Sequence, residues 1–165
     1  MPCGNDYAAS IPLAIDAGLG ELGRNGLLIT EEFGPRVRIC KVFTDLPLEV
    51  DSPVDLGVQA FCERCQRCAE ACPGKAIMFG ERTDKAWDEF NNINVLKWPI
   101  KAMNCLIWWE RNRASCSNCI RVCPYNKPKG SLHSLVRKIV KTTPVFDRFF
   151  VSLDQALGYG RHVMK

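Results

Sequence analysis

Cys62-Glu63-Arg64-Cys65-Gln66-Arg67-Cys68-Ala69-Glu70-Ala71-Cys72-Pro73 reads C-x2-C-x2-C-x3-C-P. A second group, Cys105, Cys116, Cys119 and Cys123 before Pro124, keeps C-x2-C-x3-C-P, but its first Cys lies eleven residues upstream of the next. Short-spaced thiolates let one tight loop aim several sulfurs at one iron–sulfur cube, and the last Cys of such a run serves the other cube. The following Pro restricts φ and turns the chain outward. The expected ligation is therefore crossed. Cys62, Cys65 and Cys68 share a cluster with Cys123. Cys116 and Cys119 share the other with Cys72, and Cys105 is the natural fourth ligand. Zinc wants paired Cys or His knuckles, and the x3-C-P tails without nearby His argue against it. Disulfides inside such a run would leave an odd thiol.

Working outward, the composition is ordinary. The chain has 165 residues and ten Cys, below the ~8–10% that marks a disulfide scaffold. Apolar residues make up 47% and charged residues 24%, as in globular proteins. The length suits roughly one domain with a sizeable core. No apolar run reaches the ~18 residues of a membrane-spanning helix. Met1-Pro2-Cys3-Gly4-Asn5 lacks the basic and apolar regions of a signal peptide. A formal charge of +4 is mild and makes no case for nucleic acid. Two clusters alone make an electron carrier, but such a carrier needs far fewer residues than these.

Ser10-Ile11-Pro12 reads as a helix start, with Ser10 as cap and Pro12 in the first turn. The helix runs through Leu13, Ala14 and Ile15 and ends near Gly18 or Gly20. Residues 36–44 are strand-like, ended by Leu46-Pro47-Leu48. Residues 47–58, with Pro47, Pro53 and Gly57, read as a linker into the cluster module. A helix over Ile100 to Glu110 carries Cys105. Leu132, Leu135, Val136, Ile139 and Val140 share one face of a helix over 131–141, which Pro144 stops. Phe146, Phe149, Phe150, Leu153 and Leu157 form a further stripe, ended by Gly158-Tyr159-Gly160. Gly18-Leu19-Gly20-Glu21-Leu22-Gly23 matches G-x-G-x-x-G, but a dinucleotide site needs a strand before it and a helix after it. A helix-like segment precedes it instead, so the glycines serve tight turns or close backbone approach.

Three stretches together resemble the corrinoid-dependent reductive dehalogenases (catalytic subunit). They are Ala17 to Ile29, then Glu32-Phe33-Gly34-Pro35-Arg36-Val37-Arg38, then Val42-Phe43-Thr44-Asp45-Leu46-Pro47-Leu48. The shifted second cysteine group and the tail from Thr143 to Gly160 are similar to theirs as well. The resemblance implies an α+β chain in three parts. Residues 1–58 would be the C-terminal part of a nitroreductase-like corrinoid-binding domain. Residues 59–128 would be a bacterial two-cluster (2x 4Fe-4S) ferredoxin-like module. Residues 129–165 would be a helical segment closing on the corrinoid domain. The implied cofactors are two 4Fe-4S clusters and a base-off corrinoid (cobalamin). The clusters would relay electrons from a low-potential donor to the cobalt, which reductively removes halide from a small organohalide. The family further implies twin-Arg export to the outer face of the cytoplasmic membrane and a membrane-anchor subunit, and no nucleic-acid partner. Its proton-donating Tyr lies upstream of Gly4-Asn5-Asp6, and Tyr7 does not match that position. The chain thus reads as a C-terminal fragment of an oxidoreductase, inactive alone.

By position, Asn5 looks like the family's pocket asparagine and Arg38 like the cation beside the catalytic acid. A fixed positive charge there stabilises a phenolate and lowers the pKa of a neighbouring Tyr. Arg36 is the rival if the register slips, and a surface salt bridge is the bland reading of Arg38. Gly18, Gly20, Gly26 and Leu27 fall in the segment assigned to the corrinoid. Trp109, which follows Trp108 within one turn of Cys105, is the substrate-pocket candidate, with core packing as the alternative. Cys3 and Cys40 are spare and read as buried, apolar thiols. His133 and His162 lack the D-x-H-x-x-G context of a lower cobalt ligand. Lys127, Lys129, Arg137, Lys138 and Lys141 read as a solvated basic face, or one that docks an acidic electron donor. Two other readings stand beside this one. Epoxyqueuosine reductase, which acts on tRNA, shares the Ala-Gly-Leu-Gly segment and the cluster arrangement, but reads Trp then Gly-Lys where this chain has Glu21-Leu22-Gly23-Arg24. A stand-alone two-cluster electron carrier would not need the residues before Cys62.

Overall fold

The computed structural model describes residues 8–128 and 130–159, except the side chain of Pro144. Asn5, with Cys3, Tyr7, Lys129, Gly160 and His162, lies outside the described residues. Helix α1 spans Ser10–Asp16. Its N-cap is the extended Ala9, so Ser10 is already helical and does not cap as expected. Pro12 sits in the first turn, where its missing N–H costs nothing. The helix closes at Ala17, and Gly18 takes a φ of 67° to reverse the chain.

The glycine-rich run then builds a hairpin that the sequence did not reveal. Strand β1 (Glu21–Leu22) pairs antiparallel with β2 (Leu28–Ile29), Glu21 opposite Ile29 and Leu22 opposite Leu28. Two residues per strand are too few to show an alternation. At Gly20 any Cβ would collide with the Ile29 carbonyl, so only glycine lets the backbones pass. No helix opens after this run, in keeping with the rejected dinucleotide reading.

Residues 36–44 form no strand. A β-branched run needs a neighbour to pair with, and no strand pairs with it among the described residues. Val42 and Phe43 are 84% and 85% exposed.

The cluster module follows, with α2 (Val58–Arg64), α3 (Arg67–Glu70), α4 (Ala102–Asn112) and α5 (Asn118–Arg121). The Glu21 carboxylate accepts the backbone N–H of Leu56 at 2.7 Å and of Val58 at 2.9 Å. The hairpin thereby satisfies donors that the start of α2 would leave unpaired, and places a negative charge at a helix N-terminus. The short helices α3 and α5 occupy equivalent places in the two cysteine runs. Cys68 and Ala69 from one pack with Ile77 and with Val122, just beyond the other.

Helix α6 (Ser131–Thr142), a short 3-10 turn and α7 (Asp147–Ala156) complete the described chain. Among the described residues no helix is long and apolar enough to cross a membrane. Ile29, Val58, Phe61, Cys65, Cys123, Tyr125 and Val140 form one core, with Val136, Phe150 and Val151 packed against it. That core draws on all three stretches, with Ile29, Phe61 and Val140 among its members, and Arg137 of α6 also donates to the Glu31 carbonyl. Helix α7 presents an unexpected face. Phe146, Phe149, Leu153 and Leu157 are exposed, whereas Asp147 and Asp154 are buried. The cause is electrostatic. Arg64 reaches Asp147 at 3.1 Å, and Arg67 and Lys127 both pair with Asp154. On α6, Leu132 and Leu135 are likewise exposed, while Val136 and Val140 face the core.

Candidate metal centre

Cys62 lies in α2, and the chain breaks to an extended conformation at Cys65 before α3 carries Cys68. These three sulfurs and Cys123 line one cavity, bordered by Arg24 and Tyr125. The other four gather separately. Cys119 feels the charges of Cys116, Cys105 and Cys72, and Cys105 those of Cys72 and Cys116. Each run thus lends its last Cys to the other group. Cys119 also lies within electrostatic reach of Cys68 and Cys123, which sets the two groups side by side. All nine described cysteines are free of disulfides. Among the described residues no three His, Cys, Asp or Glu side chains close on a point as a single ion requires. Sulfurs around a space suit the corners of a cube instead.

Burial pushes the Cys62 thiol up to about 12 and Cys119 up to about 11, with Cys65 and Cys116 respectively the largest sulfur contributions. Burial raises Cys65, Cys68, Cys105 and Cys123 as well. Thiols this crowded ionise together only if a metal compensates them, and metal binding then releases their protons. Backbone N–H groups already point at the sulfurs. Arg24, Arg67, Ile120 and Tyr125 donate to Cys62, Cys65, Cys119 and Cys123. Ala76 donates to Cys72 Sγ at 3.2 Å. Donors of this kind stabilise charge on cluster thiolates.

Two further groups complete the first cavity. Arg24 is wholly buried. Its Nε and Nη2 donate to the Cys62 carbonyl at 3.0 and 2.8 Å, and Nη1 donates to the Met78 carbonyl at 2.9 Å. The guanidinium lies 4.5 Å over the Trp98 ring. The Tyr125 hydroxyl is buried and has no hydrogen-bond partner among the described residues. Such an orphan costs about 1–3 kcal/mol, and a cluster sulfur at the cavity would relieve it. The residues present therefore fit an iron–sulfur cube. Sequence reasoning missed both Arg24 and Tyr125. Arg24 reaches a carbonyl 38 positions away, a relation that no spacing rule encodes.

The remaining candidates lie elsewhere. A Cβ on Gly18 would sit 2.5 Å from the Ser52 carbonyl oxygen, and one on Gly26 2.7 Å from Ile100 Cγ1. Gly18, Gly20 and Gly26 are thus closed by this chain's own atoms, and the Leu27 N–H donates to Asn25 Oδ1 at 3.2 Å. Arg38 is exposed, whereas Arg36 Nη2 donates to the Lys127 carbonyl at 3.0 Å and ties its loop to the module. Trp109 is 38% exposed on α4, a helix with no buried residue. Cys40 is exposed rather than buried. Lys127 is buried in the Asp154 pair rather than solvated, because Asp154 of α7 turns inward. His133 is half-buried, its ring 6.3 Å from Tyr159.

Residues 61–127 match the family described as 4Fe-4S dicluster domain. The chain is 41% identical over 160 residues to a tetrachloroethene reductive dehalogenase of Sulfurospirillum multivorans, covering 97% of this chain and 32% of that protein. It is 31% identical over 132 residues to an epoxyqueuosine reductase of Lactococcus garvieae, covering 71% of this chain and 32% of that protein. A solved catabolic reductive dehalogenase in complex with 3-bromo-4-hydroxybenzoic acid superposes with a TM-score of 0.78 and 29% identity, over 90% of this chain and 21% of that one. The chain spans about a third of the length of the curated relatives it matches.

Proposed function

We infer that this chain, related to the reductive dehalogenases over nearly all its length, is the electron-relay part of such an enzyme. The crossed grouping of the eight cysteines carries the reading. Two 4Fe-4S clusters, one on Cys62, Cys65, Cys68 and Cys123 and one on Cys72, Cys105, Cys116 and Cys119, pass electrons from a low-potential donor toward a corrinoid. A solved relative is described in terms of B12-dependent dehalogenation, which supports that cofactor. When bound, the corrinoid supplies the metal-centred chemistry that breaks the carbon–halogen bond of a small organohalide. This chain holds the clusters, aims N–H donors at their sulfurs and keeps water from the first cavity. Cys65, Cys68 and Cys123 are buried, while Cys62 and all four cysteines of the second group are half-buried.

The finer parts of the reading rest on the resemblance. Residues 1–58 complete a nitroreductase-like, base-off corrinoid domain, with Gly18, Gly20, Gly26 and Leu27 on its side of the chain. Asn5 and Arg38 belong to the catalytic pocket and Trp109 to the substrate pocket. The exposure of Arg38 and Trp109 leaves both available to the longer protein. A membrane-anchor subunit, twin-Arg export and the outer face of the cytoplasmic membrane come from the family alone.

Anaerobic reconstitution should load about eight irons per chain, with broad absorbance at about 400 nm. About four irons, or stoichiometric zinc, would overturn the crossed pair of clusters. The longer protein, loaded with corrinoid and given a low-potential donor, should release halide. Turnover of an epoxide-bearing tRNA would instead favour the epoxyqueuosine reductase reading, whose relative matches at lower identity and over less of the chain.

A further inference from the structure

We propose that Arg24 and the Tyr125 hydroxyl selectively raise the reduction potential of the cluster held by Cys62, Cys65, Cys68 and Cys123. This inference rests on the two-cluster reading above. Arg24 is a fixed charge. Three hydrogen bonds to two carbonyls and the Trp98 face hold its guanidinium against the cavity, with no exposed surface. Carbonyl acceptors orient a cation without neutralising it. Cys68, Cys62 and Cys65 act on Arg24 most strongly among its charged neighbours, ahead of Glu63. The cluster is therefore its counter-charge.

A cube with four thiolates carries about −2 when oxidised and about −3 after taking one electron. No bond forms or breaks in that step, and the added charge is spread over iron and sulfur. A fixed cation in a low-dielectric site favours the more negative state and so raises the potential. The Tyr125 hydroxyl acts in the same direction. It is an unpartnered donor among the described residues, Tyr125 lines the cavity, and Cys62 and Cys123 are its largest charged influences. A hydrogen bond to sulfur strengthens as the sulfur gains charge. Arg67 also neighbours Cys65, but it is engaged by Asp154. The second group is held differently. Cys119 feels Cys116, Cys105 and Cys72 together with its own loop's N–H, and its four cysteines are half-buried.

The test is a mediated dithionite titration of the anaerobically reconstituted chain, followed by low-temperature electron paramagnetic resonance. The unsubstituted protein should give two one-electron waves. Arg24→Gln should lower one of them by tenfold or more in the reduced-to-oxidised ratio, about 59 mV for a one-electron couple. Tyr125→Phe should lower the same wave by less, and Arg24→Lys should restore most of the Arg24→Gln loss. The other wave should stay in place throughout. Should Arg24→Gln fail to fold, Tyr125→Phe decides the matter, because it removes a hydroxyl that no described group binds. Unmoved waves, or equal shifts of both, overturn the inference while leaving the clusters intact. A chain that never loads about eight irons overturns the two-cluster reading and this inference together.

Discussion

Asp147 and Asp154 sit seven positions apart on α7, both buried, yet the loss of their charge should cost very different amounts. Asp154 pairs with Arg67 and Lys127, and all three side chains are below 10% exposed. Asp154→Asn keeps the shape but strands two buried cations. Removing one partner of a buried pair costs about 3–5 kcal/mol. Asp147 meets a single partner, Arg64, whose side chain is 39% exposed and turns readily to water. One Asp147 oxygen already lacks a partner among the described residues. A half-exposed pair of that kind is worth about 0–1 kcal/mol. For a chain of this size each kcal/mol moves Tm by about 2–4 °C. Asp154→Asn should therefore lower Tm by roughly 6–20 °C, and Asp147→Asn should stay within about 4 °C of the native value. The assay is anaerobic thermal unfolding of iron-loaded proteins by circular dichroism, at matched iron content. Equal shifts in the two variants, or a shift under about 4 °C for Asp154→Asn, would refute the claim that the Arg67–Asp154–Lys127 cluster sets the rotation of α7.

Asp147 also has a pH signature. Burial raises its carboxyl above the usual range, with Arg64 opposing. A folded value above the unfolded one means that ionisation weakens the fold as pH rises, and that this loss vanishes below about pH 4. Any stability advantage of Asp147→Asn should hence hold at neutral pH and shrink as pH falls through the raised folded value toward about pH 4, read from paired urea midpoints. Crossed ligation predicts that Cys123→Ala abolishes the resonance signal that Tyr125→Phe shifts, whereas Cys72→Ala abolishes the other. The reverse assignment would show uncrossed ligation. Gly34 has a φ of 57°, and a Cβ there would collide with the Tyr125 carbonyl. Gly34→Ala should cost more than about 1 kcal/mol, seen as a lower unfolding midpoint, because left-handed strain and a backbone clash add.

Much of the site was legible because thiolate chemistry is written in spacing. C-x2-C-x2-C-x3-C-P and its shifted partner set the expected ligand order, and the structure groups Cys123 with Cys62, Cys65 and Cys68 around one cavity. Helices were legible too: α4, α6 and α7 lie within two residues of their expected bounds, the last two read from their apolar stripes. What escaped was non-local. The hairpin of Glu21–Leu22 and Leu28–Ile29 has no period to read, and Glu21 reveals its capping role only once α2 is beside it. Arg24 is one of 22 basic residues in the sequence, and only the fold makes it a buried counter-charge. On α7 the error was one of sign. The stripe rule assumes that apolar residues face the core, and it fails when a buried arginine and a buried lysine, Arg67 and Lys127, await a carboxylate on the other face.

The inverted α7 and the unpaired run at 36–44 have a common explanation in the proposed longer protein. Val42, Phe43 and Val50 are each more than 80% exposed, and Phe146 and Phe149 more than half. Fully burying one such side chain stabilises by about 1.5–3 kcal/mol, so a surface with many of them is an interaction surface rather than a solvated one. The charges of α7 fix which way that surface faces. Had the Phe149 stripe turned inward, Arg67 and Lys127 would be buried without a carboxylate, at a cost above what the ring's burial returns. Directing the carboxylates inward satisfies the cluster module and leaves the aromatic stripe outside. Electrostatics thus close the interior around the cysteines, and the apolar residues left exposed are the surface against which the rest of the proposed longer protein would pack.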